Sequence, residues 1–84
     1  MREFLLFEEN FNKLKGLKET DGLTLENVQY GNMFVGDIER FVYLEKVGKD
    51  KFIKHNIECE ITALQKLSES SIWIKVKKLK EFKN

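Results

Sequence analysis

Proline is absent from the 84 residues, and cysteine and histidine occur once each. A single cysteine forms no intramolecular disulfide and finds no second thiolate for a metal site. A domain this small without a disulfide framework points to a reducing compartment, with the cytoplasm as the expected location. No apolar run approaches the roughly 18 residues that span a bilayer, so no membrane association is expected. Near the N-terminus, Phe4-Leu5-Leu6-Phe7 is bounded by Glu3 and by Glu8-Glu9, which does not fit a secretory signal. The five glycines, Gly16, Gly22, Gly31, Gly36 and Gly48, stand singly and form neither GxGxxG nor GxxxxGK[ST]. They suit turns and bulges. With no phosphate loop, nucleophile motif or zinc signature, the sequence gives no support for catalysis, and no cofactor is expected.

What the chain does contain is ordinary for a folded protein. Hydrophobic residues make up 42% and charged residues 35%, and seven phenylalanines argue against intrinsic disorder. Residues 1–84 are expected to form one small domain, burying only about 60–65% of the surface of the unfolded chain. Charge is unevenly divided. Residues 1–42 carry five Lys/Arg against eight Asp/Glu, whereas residues 43–84 carry ten against six. Such a gradient orients partners and says little about fold. Lysine outnumbers arginine thirteen to two, a bias expected of an AT-rich genome such as that of a low-GC bacterium, its phage or a mobile element.

Residues 57 to 78 hold the clearest structural signal. Ile57, Cys59, Ile61 and Ala63 alternate with Glu58, Glu60 and Thr62. After Ser68-Glu69-Ser70-Ser71, Ile72, Ile74 and Val76 alternate with Trp73, Lys75 and Lys77. This is the period of two half-buried strands joined by a turn. Cys59 falls on the apolar side, where it acts as a small hydrophobe. Upstream, Phe4, Phe7, Phe11 and Leu14 share one side of a helix, which predicts a helix over residues 3–16 ending at Gly16. A buried strand over residues 3–7 competes with it. Residues 23–30 read as a strand, with a turn at Gly31-Asn32. Residues 33–47 favour strand, with Met33, Val35, Phe41 and Tyr43 on one face and a bend at Gly36-Asp37; a short helix with Ile38, Phe41 and Val42 inward competes. Gly48-Lys49-Asp50 reads as a turn, and residues 77–84 as a weak, fraying end.

The expected fold class is therefore α+β. An N-terminal helix packs on a four- to five-stranded antiparallel sheet or a small SH3-like barrel, because short connections favour a meander over parallel crossovers.

Candidate chemistry is sparse. His55 lacks a second ligand and an evident nucleophile, so a loop or hydrogen-bonded role fits it better than catalysis. Glu58 and Glu60 share one strand face, where they balance basic residues on the neighbouring strand. The remaining candidate is a binding face. Trp73, Lys75 and Lys77 project to one side of the last strand, with Tyr43 as a further anchor, and Trp and Tyr are common anchors of protein contacts. The same surface with Lys49, Lys51, Lys54 and His55 suits RNA or single-stranded DNA, since lysines neutralise phosphates and an exposed ring stacks on a base.

A resemblance bears on that alternative. Gly31, Gly36-Asp37-Ile38-Glu39-Arg40-Phe41 and Lys54-His55-Asn56-Ile57 resemble the Sm-like RNA-chaperone pattern over residues 23–57. The resemblance implies a helix followed by a five-stranded barrel, ring assembly, and contact with uridine-rich RNA through Lys54 and His55. The chain departs from the pattern after Phe41, where Val42-Tyr43 replace the acidic and asparagine residues. The interval from Phe41 to Lys54 is also short, and the segment beyond residue 58 is long. The leading expectation is a non-enzymatic binding or inhibitor protein that contacts a protein through a β-sheet face. A nucleic-acid binder is the alternative, and a homodimer through an edge strand is a further option.

Overall fold

The computed structural model describes all residues, Met1–Asn84. The elements are β1 (Glu3–Leu5), α1 (Glu8–Lys15), β2 (Leu23–Glu26), β3 (Ile38–Gly48), β4 (Lys51–Lys66) and β5 (Ser71–Lys83). All five strands belong to one sheet, in the order β1-β3-β4-β5-β2. β3, β4 and β5 form an antiparallel meander, and β2 runs antiparallel to β5. β1 runs parallel to β3. The sheet is thus mixed, not antiparallel throughout. α1 and β2 both intervene between β1 and β3, which gives the chain the length a parallel crossover needs.

The sheet curls into a half-barrel and stays open, since β1 and β2 do not pair. Its longest strand explains the curl. Sixteen residues of straight strand would extend about 50 Å, yet the longest dimension of the molecule is 38 Å. Register shifts leave Val47, Thr62 and Leu79 as extra residues in β3, β4 and β5 respectively. An extra residue bends its strand and increases the local twist. The inner face carries Phe41, Ile57, Cys59, Ile61, Ile72, Ile74 and Val76, all buried. Each large side chain here contributes roughly 1.5–3 kcal/mol through burial. Phe11 and Leu14 of α1, with Val28, Tyr30 and Met33 of the following loops, complete this core.

The N-terminal segment combines both readings of its sequence. Phe4 on β1 and Leu6 just after it are buried, Phe7 is exposed at the helix entry, and Phe11 and Leu14 are buried on α1. Eight residues are too few for a stable helix alone. α1 is held by those two apolar side chains, by Glu8 and Glu9 at its N-terminal turn, and by Lys78 Nζ donating to the Lys15 carbonyl at 2.6 Å. The strand expected at 23–30 ends at Glu26. Residues 31–37 are irregular, so Met33 is buried while Val35 is exposed. Gly36, at φ 95°, has open space around it; its backbone conformation, and not crowding, calls for glycine. Its amide donates to the Ile61 carbonyl at 2.8 Å and ties this loop to β4. Residues 38–42 are strand, not helix. The C-terminal residues are paired strand: β5 continues to Lys83, and Asn84 exchanges backbone hydrogen bonds with Lys54. No helix is long and apolar enough to cross a membrane.

Candidate partner-binding face

Alternation along β5 sets the site. Ile72, Ile74 and Val76 are buried, and Trp73 and Lys75 between them are half-buried on the outer face, followed by exposed Lys77. Trp73 lies opposite Thr24 of β2 and Gln65 of β4. Its indole lies across Gly22 so closely that a Cβ there would sit 2.4 Å from Nε1 and Cζ2. Lys75 Nζ lies 6.0 Å from the same ring centroid. The extra residue at Leu79 returns Lys80 and Phe82 to the outer face, opposite Glu58 and Asn56. Phe82 carries Lys80 Nζ at 4.8 Å and the Arg40 guanidinium at 5.4 Å from its centroid.

Cations are distributed unequally among carboxylates. Arg40 binds Glu58, its direct neighbour on β4, at 2.6 Å and reaches Glu3 at 3.3 Å, while Lys54 binds Glu3 at 2.5 Å. The Lys54 hydrogen bond, supported by Arg40, holds the Glu3 carboxyl below its usual range. None of the five lysines on β5 has a carboxylate within 4.0 Å. Glu60 stands opposite Lys77 in register without closing an ion pair. The outer face of β5 therefore holds an uncompensated positive charge beside two aromatic rings.

The other sequence candidates separate. Tyr43 is on the inner face, opposite His55, with its ring 5.7 Å from Phe11 of α1. A hydrogen bond from its hydroxyl to Glu8 raises the phenol above its usual range. The sheet lies between Tyr43 and Trp73, so the two do not share a surface. His55 is also inward, stacked on Tyr43, with Nε2 2.7 Å from Glu45 Oε1. Lys54 points outward, so the lysine–histidine step presents its two side chains to opposite faces. Lys49 and Lys51 lie at the exposed β3–β4 turn, and Phe52 beside them is exposed. A groove of about 620 Å³ runs along β1, lined by Leu5, Phe7, Tyr43 and Leu44. Sequence reasoning missed Lys80 and Phe82, because the extra residue at Leu79 breaks the alternation that would place them.

No protein-family model, curated protein or solved structure matches the chain. The Sm-like expectation also meets a different order of elements, with a strand ahead of the helix and an open mixed sheet.

Proposed function

We propose that this chain is a small non-enzymatic binding protein that presents the outer face of β5 to a protein partner. Trp73 and Phe82 are the apolar contacts, and Lys75, Lys77 and Lys80 select for negative charge. The observation that carries the reading is the set Lys75, Lys77 and Lys80 on the outer face of β5, each without a carboxylate partner, beside a half-buried tryptophan. The carboxylates of Glu3, Glu9, Asp37, Glu39, Glu45 and Glu58 pair with other cations or with His55, and none pairs with a β5 lysine, although Glu58 stands opposite Lys80. A charged surface of this kind accelerates encounter and rejects like-charged partners more than it adds raw affinity.

A nucleic-acid reading shares the lysines and the two rings. Single-strand binders stack bases on free aromatic faces, whereas here the rings already carry the cations of Lys75, Lys80 and Arg40. That occupation favours a protein. The double variant Lys75→Glu/Lys77→Glu, compared with the parent in affinity capture from a bacterial lysate, tests the reading. One stoichiometric protein retained by the parent and lost from the variant is the expected result. Equal retention by both overturns the face as the site. A gel shift on random RNA or single-stranded DNA that weakens between about 50 and 200 mM salt, with a slope near −0.7 per phosphate contact, would establish the second reading instead.

A further inference from the structure

β5 is longer than its neighbour on one side. β2 pairs with Ser71 to Ile74 only, and no backbone hydrogen bond reaches Lys75–Lys83 from that side. Nine residues of strand edge, roughly 30 Å long at about 3.3 Å per residue, are thus unpaired. Residues 77–81 are exposed, as is Lys83. The direction of the free groups follows from the end of the strand. Asn84 and Lys54 exchange both backbone hydrogen bonds, at 2.8 and 3.0 Å. Alternation then turns the amides and carbonyls of Phe82 and Lys80 toward β4, and those of Glu81 and Lys83 outward. A cleft of about 190 Å³ lies between α1 and this end of the sheet, lined by Phe11 and Lys15 of α1, by His55 and Asn56 of β4, and by Glu81, Phe82 and Lys83 of β5.

We propose that an acidic, extended segment of the partner adds to this edge as a sixth strand, antiparallel or parallel to β5. The proposal rests on the protein-binding reading above and specifies its mode. Charge decides the occupant. The edge carries five lysines against one glutamate, a net charge of +4 over residues 75–83. Pairing with the same edge of a second copy would set lysine against lysine, which like charges across a ladder disfavour. Lysine-lined edges resist self-pairing for this reason. An acidic strand meets the same charges with the opposite sign, and cross-strand Glu–Lys pairs then reinforce the backbone ladder. A polynucleotide would satisfy the lysines but not the outward row of alternating amides and carbonyls, which is complementary to a peptide.

The test uses the full chain and three probes: a peptide of alternating glutamate and valine, its lysine–valine counterpart, and an oligothymidylate. Tryptophan fluorescence and amide hydrogen exchange at Glu81 and Lys83 are the readouts. The acidic peptide is expected to bind, to protect those two amides from exchange, and to weaken as salt rises. Glu81→Pro removes an outward amide and leaves the β4 ladder intact, a position where an edge strand tolerates proline. It is expected to weaken peptide binding by roughly tenfold or more, whereas Glu81→Gln retains or strengthens it. Far-UV circular dichroism and thermal melting verify that the proline variant folds. Should it not fold, N-methylation of the Glu81 amide in a semisynthetic chain removes the same donor. Peptide binding lost in Lys75→Glu/Lys77→Glu but unchanged by Glu81→Pro would overturn the added strand while sparing the face. Equal binding of the basic peptide, or binding of the oligothymidylate alone, would overturn the proposal.

Discussion

Gly22→Ala tests the geometry of the tryptophan directly. The added Cβ would lie 2.4 Å from Nε1 and Cζ2 of Trp73 and 2.5 Å from Cε2. Ordinary carbon contacts lie near 3.5–4.0 Å, so the indole must retreat by about 1 Å or more. These atoms are at the far end of a side chain with two rotatable bonds, so the ring moves and the backbone of β5 stays paired. Forcing a side chain off its preferred rotamer costs about 0.5–1.5 kcal/mol. Lost burial of a half-covered indole adds roughly 1–2 kcal/mol. Gly22 lacks a positive φ, so alanine also gains about 0.4–1 kcal/mol by restricting the unfolded chain. The net expectation is destabilisation of about 1–2 kcal/mol. Trp73 is the sole tryptophan, so emission reports on this ring alone. The variant should show a red-shifted maximum and stronger acrylamide quenching with unchanged far-UV circular dichroism, and a lower urea midpoint. An unchanged spectrum together with raised stability would show that the ring does not lie on Gly22.

Three further outcomes follow from the packing and the titrating groups. Leu14→Ala, at a fully buried position on α1, should cost about 2–5 kcal/mol in urea unfolding; a cost below about 1 kcal/mol would mean that α1 is not docked through this residue. Burial pushes the Cys59 thiol up to about 12, so a thiol reagent at pH 8 should label the protein only after unfolding, and immediate stoichiometric labelling of the native protein would contradict the buried position. The raised thiol contributes stability below its ordinary range, and that contribution is lost as pH rises toward about 12. Glu3 has the opposite sign: its lowered carboxyl contributes above its ordinary range and loses that contribution as pH falls through the lowered value. Glu3→Gln should therefore flatten the acid side of the stability profile, and a parallel profile for parent and variant would remove the Lys54 and Arg40 contacts as its source.

The hairpin of β4 and β5 was legible because one buried face imposes a period of two, and a slip by one residue would expose Ile57, Cys59 and Ile61 together. The outward placement of Trp73, Lys75 and Lys77 follows from the same constraint. Short-range pattern failed where two geometries share residues. Phe4 and Phe11 lie seven apart, which suits one helix, yet Phe4 is buried by β1 and Phe11 by α1. The parallel pairing of β1 with β3 depends on contacts far apart in sequence, which local periodicity does not encode. Tyr43 lies two residues from buried Phe41 on one strand, so alternation alone turns it inward against His55, and grouping it with Trp73 on the outer face conflicts with that same alternation. Beyond Lys77 the extra residue at Leu79 shifts the alternation, so Lys80 and Phe82 join the outer face by geometry that a strict period of two conceals.

The uneven strand lengths and the uneven charge meet at one place. β4, at sixteen residues, gives β5 a full-length neighbour, whereas β2, at four, covers only the start of its other side. Pairing with β4 alone suffices to order β5 to its end, because Asn84 still closes a reciprocal pair with Lys54. An ordered strand with one side open exposes fixed amides and carbonyls at little further entropic cost to a newcomer, which is the condition for strand addition. The same order is a hazard without charge, since a neutral edge of nine residues would pair with any copy of itself. On the proposed strand addition, the lysines would meet both requirements with one interaction. Repulsion between like edges and attraction to an acidic strand scale together with ionic strength, so resistance to self-association and affinity for the partner should weaken in parallel as salt is raised.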